Sequence, residues 1–405
     1  MNQPKDLLAY TICSHQKKVY NNANPWRSMT NIQAGRFELI KGAKILVLGA
    51  GMIGSVLAQE LARSGADVVI GDREIRTVPG CKYQKMDVTD RNSLASVMKG
   101  GYDVVASAVP GSLGFRVMET AIEARVDLVD VSFGEENPLA LTEKAKHAGI
   151  IIVPDCGVAP GLSNFLVGLG LTKVKNPREA RIKVGGLPQK PEPPLNYRLV
   201  FSAEAVVDEY TRKARIVKNG KIVDVEALSG LELFEFPGVG KLECFYTDGL
   251  RTLVNTVKLK DMDEKTIRYP GHVEKIKTLV DLGLFAREPV VLGVKPRDFM
   301  ESFISSTLKL RKGEKDLTIL QVDVSGESGA VRYRVLDRFD ERSNISSMAR
   351  TTGYPIAILS LLVAGGEVGQ KGVVPLEILG QDEGVSQRVL EELRRRNVKI
   401  DEKML

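Results

Sequence analysis

From Lys44 to Asp155 the chain alternates short, mostly apolar runs with stretches spaced like helices. The runs cover 44–48, 67–71, 82–88, 102–109, 126–132 and 150–155. Segments of this length and continuity suit strands buried on both faces of a parallel sheet. Helix patterns lie between them: Ser55 to Ala62, a segment opened by Asp90 as N-cap and running to Val97, and Pro138 to His147. Six strands with intervening helices predict a doubly wound parallel α/β sheet, with ligands gathered at the strands' carboxyl ends.

The first run ends in Gly49-Ala50-Gly51-Met52-Ile53-Gly54, a G-x-G-x-x-G motif placed between a strand and a helix. In that context Gly49 permits the turn, Gly51 lets a pyrophosphate approach the backbone, and Gly54 lets helix pack on strand. The second strand ends at Asp72, 18 residues past Gly54, where an adenosine ribose acceptor is expected. The sheet is therefore read as a Rossmann dinucleotide domain. Met52 and Ile53 supply helix N-terminal amides. Asp87 and Val88, at the third strand end, are candidate adenine contacts or a plain strand end and turn. Ala108 and Pro110 end the fourth strand. A carboxylate at Asp72 accepts from both ribose hydroxyls and repels a 2′-phosphate, so NAD is expected, and Arg73 beside it leaves some room for NADP.

Beyond Gly157 the texture changes. Gly185-Gly186-Leu187-Pro188 and Lys190-Pro191-Glu192-Pro193-Pro194 read as a stiff loop. β-rich segments follow at 197–201, 214–218 and 221–225, the last two joined by Asn219-Gly220, a type I′ hairpin signal. A second hairpin is expected from 318–324 and 331–339. Residues 345–364 return to a helix pattern apolar nearly all round, which belongs in a core, and the last helix pattern, Gln387 to Arg396, is amphipathic. The domain reading is thus a dinucleotide domain at 29–157 with 345–405, and a second, mixed α/β domain at 158–344 for substrate binding and dimerisation. Residues 1–28, polar and without an apolar signal core, read as a poorly ordered or dispensable extension ahead of a candidate start at Met29.

Composition narrows the class. With 405 residues, 43% hydrophobic and 27% charged, the chain is ordinary for two globular domains. The net charge of +6 is spread along the chain, and Arg394-Arg395-Arg396 sits beside Glu391 and Glu392, so no nucleic-acid patch is expected. No apolar run approaches a membrane span. Four cysteines (Cys13, Cys81, Cys156, Cys244) lack metal or C-x-x-C spacing, which points to a reduced, cytoplasmic setting without a metal site.

Four ordered motifs carry a resemblance: Gly49–Gly54, Asp155-Cys156-Gly157-Val158-Ala159-Pro160-Gly161, Gly185–Pro188, and Met348-Ala349-Arg350-Thr351-Thr352-Gly353-Tyr354-Pro355. Together they resemble the saccharopine dehydrogenase-like family from residue 43 to the C-terminus. Thr247-Asp248-Gly249-Leu250-Arg251-Thr252-Leu253 and Arg268-Tyr269-Pro270-Gly271-His272 look like its lysine 6-dehydrogenase branch. The resemblance implies NAD-dependent oxidation at the lysine ε-carbon with loss of ammonia, C-terminal helices that rejoin the dinucleotide domain, and a homodimer or dimer of dimers. It also implies that Thr351, Thr352 and Gly353 close over the nicotinamide. Three departures move the reading away from saccharopine. Glu204 stands where reductases carry a cation, Phe133 follows Ser132 where a Tyr is usual, and Leu162-Ser163-Asn164 replaces a His-bearing stretch.

Oxidising an amine requires its neutral form, so a proton acceptor is needed. Of three histidines, His15 lies in the extension and His147 near a helix end away from the strand tips. His272, at a helix start, is the base by elimination, or a helix-start residue with a local hydrogen bond. Asp130 and Asp155 at strand ends are candidates to polarise water or bind an amino group, or caps, and Ser132 sits on the same edge. Arg251 is the candidate for the α-carboxylate or a member of an ordinary ion pair, and Glu204 a candidate ammonium contact or a solvated acid. Two other readings stay open: a reductase of the saccharopine or carboxynorspermidine type, and a non-catalytic dinucleotide-binding regulator.

Overall fold

The computed structural model describes residues 42–290 and 293–405. The extension at 1–28 and the candidate start at Met29 lie outside the described residues. β1 (Lys44–Leu48), α1 (Met52–Arg63), β2 (Asp67–Asp72), β3 (Cys81–Lys85), α2 (Arg91–Met98), β4 (Val104–Ser107), α3 (Gly111–Ala124), β5 (Asp127–Asp130), a short 3-10 turn leading into α4 (Thr142–Ala148), and β6 (Ile151–Val153) form the first half. Asp90 caps α2 as expected, accepting from the amides of Asn92 and Ser93. α5 (Leu162–Lys173) leads into β7 (Pro177–Pro188), α6 (Ala203–Thr211), β8 (Ala214–Lys218), β9 (Lys221–Val225), β10 (Glu232–Phe236), β11 (Gly240–Tyr246), α7 (Leu253–Thr256) and β12 (Asp261–Arg268). After these come α8 (His272–Asp281), α9 (Pro296–Thr307), β13 (Asp316–Gly326), β14 (Gly329–Arg338), α10 (Ser347–Ala364), β15 (Gly372–Val373), α11 (Leu376–Gln381), α12 (Glu383–Arg395) and β16 (Asp401–Met404).

The first sheet runs β15-β6-β5-β4-β1-β2-β3, every pair parallel. This is the expected doubly wound order, with β15 added from the C-terminal part. The second runs β10-β11-β12-β7-β13-β14-β16, with β8 on β12 and β9 on β8. Its β12–β7 pair is parallel and its other pairs are antiparallel, so the sheet is mixed. The Asn219-Gly220 hairpin forms as expected, with φ of 51° and 75° at its two corner residues.

Three local expectations are corrected. Gly185–Pro188 is no loop but the end of β7, a central strand. Its glycines serve closeness: a Cβ on Gly185 would lie 2.8 Å from Ile267 Cβ, and one on Gly186 2.5 Å from Met348 Cε. Residues 197–201 form no strand, and Tyr197 and Leu199 instead pack into a cluster under α6 and α8. β16, expected with the dinucleotide half, pairs with β14 at the edge of the second sheet.

α10 is the joint of the structure. Every residue from Ser347 to Val363 is buried, and it packs on α1, β4 and β5 on one side and β13 on the other. One apolar core therefore runs from Ile45 and Val47 through Ile356 and Leu359 to Ile182 and Val322. No helix of the described residues is long and apolar enough to cross a membrane.

Candidate active site

The glycine turn is built as its spacing implies. Gly49 has φ +90°, and a Cβ there would lie 2.8 Å from the Ala108 carbonyl oxygen. A Cβ on Gly54 would fall 2.0 Å from the Gly49 oxygen, whereas Gly51 faces open space. The first turn of α1 has no side-chain cap and no acid, so the amides of Met52 and Ile53 are presented with the positive end of the helix. These features fit a dinucleotide pyrophosphate. Asp72 accepts from Ala50 N at 2.6 Å and from Glu74 N at 3.0 Å, which holds the carboxylate beside the turn. The Arg76 guanidinium reaches the Ala50 carbonyl at 3.3 Å, and Arg73 is exposed next to it. Asp87 closes a local turn onto Thr89, and Val88 is half-buried against the core. Pro110 caps α3 beside Ala108.

From this turn a cleft opens toward the second sheet. Ile53, Val131, Phe133 and Thr352 line it on the dinucleotide side; Gly185, Gly186, Thr247, Gly249, Thr266 and Met348 are among the residues opposite. Its charged lining consists of Asp208, Glu209, Arg212, Asp248, Glu264 and Arg268. α6 contributes the first two acids and is followed by Arg212, while β12 turns Glu264, Thr266 and Arg268 onto one face by strand alternation. Arg268 donates to Glu209 at 2.5 Å and lies over the Tyr197 ring at 4.4 Å from its centroid. Arg215 forks onto Asp248 with two bonds of 2.9 Å. Arg212 bonds Asp208 at 2.7 Å, stacks 4.6 Å over Phe133, and leaves its Nε without a protein partner. Glu264 accepts from Thr247 Oγ1 at 2.5 Å and Gly249 N at 3.1 Å. Burial, with Glu209 and Asp248 nearby, pushes its carboxyl up to about 8 against those two hydrogen bonds.

Several anticipated residues lie elsewhere. His272 is 1% exposed, with Tyr210 Oη and the Leu195 carbonyl each 2.9 Å from its ring nitrogens. Burial and the Arg268 charge lower its pKa to about 3. It is absent from the cleft lining, and both nitrogens are engaged, so the geometry does not offer it as a base. Arg251 is also buried, with each of its three nitrogens engaged, by Asp155 at 3.3–3.4 Å and by the carbonyls of Gly134 at 2.8 Å and Glu136 at 3.1 Å. It latches the loop after β5 to the end of β6 and does not line the cleft. Asp155 is its partner, and burial still raises that carboxyl against Arg251. Asp130 is fully buried, raised to about 6 by desolvation against the hydroxyls of Ser107 and Ser132, and Ser132 donates to it. These two support the loop beneath Val131 and Phe133.

Glu204 lies in a neighbouring polar cavity with Ser112, Glu136, Arg287 and Arg297, which shares Phe133, Asp208 and Arg212 with the cleft. Burial and the charges of Asp208 and Glu301 raise its pKa. Thr352 does line the cleft. Thr351 bonds back to Ser347 O, and Gly353 gives α10 its close approach to α1, 3.2 Å from Val56 for an added Cβ. Sequence reasoning missed Glu264, Glu209, Asp208 and Arg212. One signal was available, the charges packed into the otherwise regular strand Asp261–Arg268.

Comparison with known proteins agrees with this architecture. Residues 45–153 match the model of the saccharopine dehydrogenase NADP binding domain, and 157–398 that of the saccharopine dehydrogenase C-terminal domain. The chain is 22% identical over 418 residues to saccharopine dehydrogenase [NADP(+), L-glutamate-forming] of Saccharomyces cerevisiae, covering 82% of this chain and 93% of that protein. It is 20% identical to the mitochondrial alpha-aminoadipic semialdehyde synthase of Bos taurus, over 82% of this chain and 45% of that one. The solved apo structure of the yeast saccharopine dehydrogenase superposes with a TM-score of 0.72 at 19% identity, covering 90% of this chain and 100% of that one.

Proposed function

Because the chain belongs to the saccharopine dehydrogenase family, we propose that it is a dinucleotide-dependent amino-acid oxidoreductase that oxidises the 6-amino carbon of L-lysine to the semialdehyde. The observation that carries this is the pairing of charges in the cleft: Glu209 is taken by Arg268, Asp208 by Arg212 and Asp248 by Arg215, while the carboxyl of Glu264 meets no cation among the described residues. Such a lining favours a terminal ammonium over a dicarboxylic adduct. Arg212, which lines the cleft, is the residue suited to the substrate α-carboxylate, a role Arg251, outside the lining, does not take. Phe133, stacked under Arg212, gives the cleft an apolar wall beside Val131. Bound at the glycine turn, the nicotinamide cofactor supplies the hydride acceptor.

We assign NAD as that cofactor on the strength of Asp72, although the yeast relative is an NADP(+) enzyme by name, the matching family model is of an NADP binding domain, and Arg73 and Arg76 stand close by. A homodimer or dimer of dimers belongs to the same proposal, and sedimentation of the full chain tests it.

The decisive assay incubates the full chain with NAD or NADP and L-lysine, L-ornithine or meso-diaminopimelate, following reduced cofactor and released ammonia. Turnover with lysine is the expected result. The names of the relatives favour a second reading, glutamate-forming cleavage of saccharopine. Turnover of saccharopine with none of lysine replaces the first reading by the second. Inactivity on all of these substrates removes both readings and leaves the carboxynorspermidine-type reductase and the non-catalytic regulator.

A further inference from the structure

We propose that Glu264 is the catalytic proton acceptor of this cleft, taking the proton from the substrate's terminal ammonium so that its nitrogen lone pair can assist hydride departure. The inference rests on the lysine-oxidising reading above.

Two chain segments fix the carboxyl. β12 carries it between β11 and β7, in the middle of the second sheet. Thr247 Oγ1, itself 2.9 Å from Thr266 Oγ1, and the amide of Gly249 both donate to Oε2, leaving Oε1 without a hydrogen-bond partner among the described residues. Gly249 is required for this placement, because a Cβ there would lie 2.6 Å from Glu264 Cδ and 2.7 Å from Oε2.

Glu264 is 2% exposed and lines the cleft, yet no cation among the described residues pairs with it. Buried Asp155 and Asp337 have guanidinium partners, Arg251 and Arg350, as does half-buried Glu209 with Arg268; the fully buried carboxyls of Asp130, Asp316 and Glu377 also lack a cation but lie outside the cleft lining. The charged groups facing Glu264 are Asp208, Glu209 and Arg212 of the α6 segment, Asp248 after β11, and Arg268 on its own strand. Two of the nearest acids, Glu209 and Asp248, add repulsion, and their cations, Arg268 and Arg215, are bonded to them and not to Glu264. An unpaired buried carboxyl in a substrate cleft is a candidate for proton transfer on physical grounds.

The energetics suit the task. A lysine ammonium has a pKa of about 10.4, so passing its proton to an ordinary Glu near 4.3 is uphill by a factor of roughly a million. For a carboxyl near 8 the factor falls to roughly 250. The step balances. The N–H bond breaks to Glu264, and the C–H pair leaves as hydride to the oxidised nicotinamide as the C=N bond forms. Water then adds to carbon, and its hydrogens depart on ammonium. The proton on Glu264 is the one the overall reaction returns to solvent.

The test uses the full chain as wild type, Glu264→Gln and Glu264→Asp, each checked by melting temperature and NADH affinity. Calorimetric titration of L-lysine onto the NADH complex at pH 7, in two buffers of different ionisation enthalpy, counts protons without turnover. The wild type is expected to release close to one proton, because a largely protonated Glu264 ionises to meet the ammonium, and Glu264→Gln none. In turnover, kcat of Glu264→Gln is expected to fall by about 10²–10⁴-fold and to lose its acid limb, while Glu264→Asp keeps that limb. Equal proton release by wild type and Glu264→Gln, or an unchanged kcat–pH profile, overturns the inference and leaves the function standing. A wild type that oxidises none of the amine substrates overturns the function and the inference together.

Discussion

The glycine turn and the acidic cleft face each other across one cavity, but they hold their chemistry in different parts of the chain. At the turn it resides in the backbone: amides of Met52 and Ile53, with glycines chosen for what their missing Cβ permits. In the cleft it resides in side chains brought together from α6, the loop after β11, and β12, each given its state by neighbours rather than by residue type. A backbone site is encoded locally and tolerates exchange at x positions. A side-chain site is encoded by contacts between distant segments, so small packing changes should alter its chemistry while the fold persists.

The comparison can be broken most forcefully at Gly54. Gly54→Val puts a branched side chain where even one Cβ would sit 2.0 Å from the Gly49 oxygen. NADH affinity should drop by about 1,000-fold, roughly 4 kcal/mol, in a fluorescence titration. Binding within tenfold of wild type would show that the turn is not the cofactor cradle.

Next in size is Gly249→Ala, which touches only the cleft. Displacing Glu264 by part of an ångström should cost kcat on the order of 100-fold with NADH affinity unaltered. A matching loss of NADH binding would mean that the two halves are not separable.

Asp72→Ser probes selectivity within the turn. The ratio of kcat/KM for NAD over NADP should fall by about tenfold, as the ribose acceptor weakens and Arg73 and Arg76 remain. A constant ratio would remove Asp72 from the cofactor argument.

The smallest effect is expected at His272. Its folded pKa near 3 lies below the ordinary value of 6.5, so between these the unfolded chain binds a proton the folded one does not. Stability contributed by the neutral ring is therefore complete above about pH 6.5 and declines as pH falls toward 3. His272→Gln should lose about 1–3 kcal/mol at pH 7 in urea melts, show a shallower acid decline, and keep the wild-type kcat–pH profile. A displaced kcat–pH profile would return His272 to the chemistry.

Much of the first half was legible because its signals are short-range. A strand buried on both faces is a continuous apolar run, and the turn's demands fall within the Gly49–Gly54 hexapeptide. The Asn219-Gly220 hairpin and the buried helix over 345–364 were readable for similar reasons. The diglycine at 185–186 misled because glycine marks close approach as well as turning, and the approaching groups, Ile267 and Met348, are far away in sequence. His272 and Arg251 were chosen for what their side chains can do. Which partners had already claimed them was decided by Tyr210, Leu195 and Asp155, residues no spacing connects to them. Glu264 was overlooked because an acid inside a strand gives no sign, without the fold, of whether a cation meets it.

α10 carries one more consequence. Since it packs on α1, β4 and β5 on one side and β13 on the other, the core that both sheets share is lost if either melts. The chain should unfold as a single cooperative unit, and a nucleotide bound only at the glycine turn should raise the thermal midpoint of the distant β13–β14 hairpin along with its own. Hydrogen exchange in β13 would then serve as a remote gauge of cofactor occupancy.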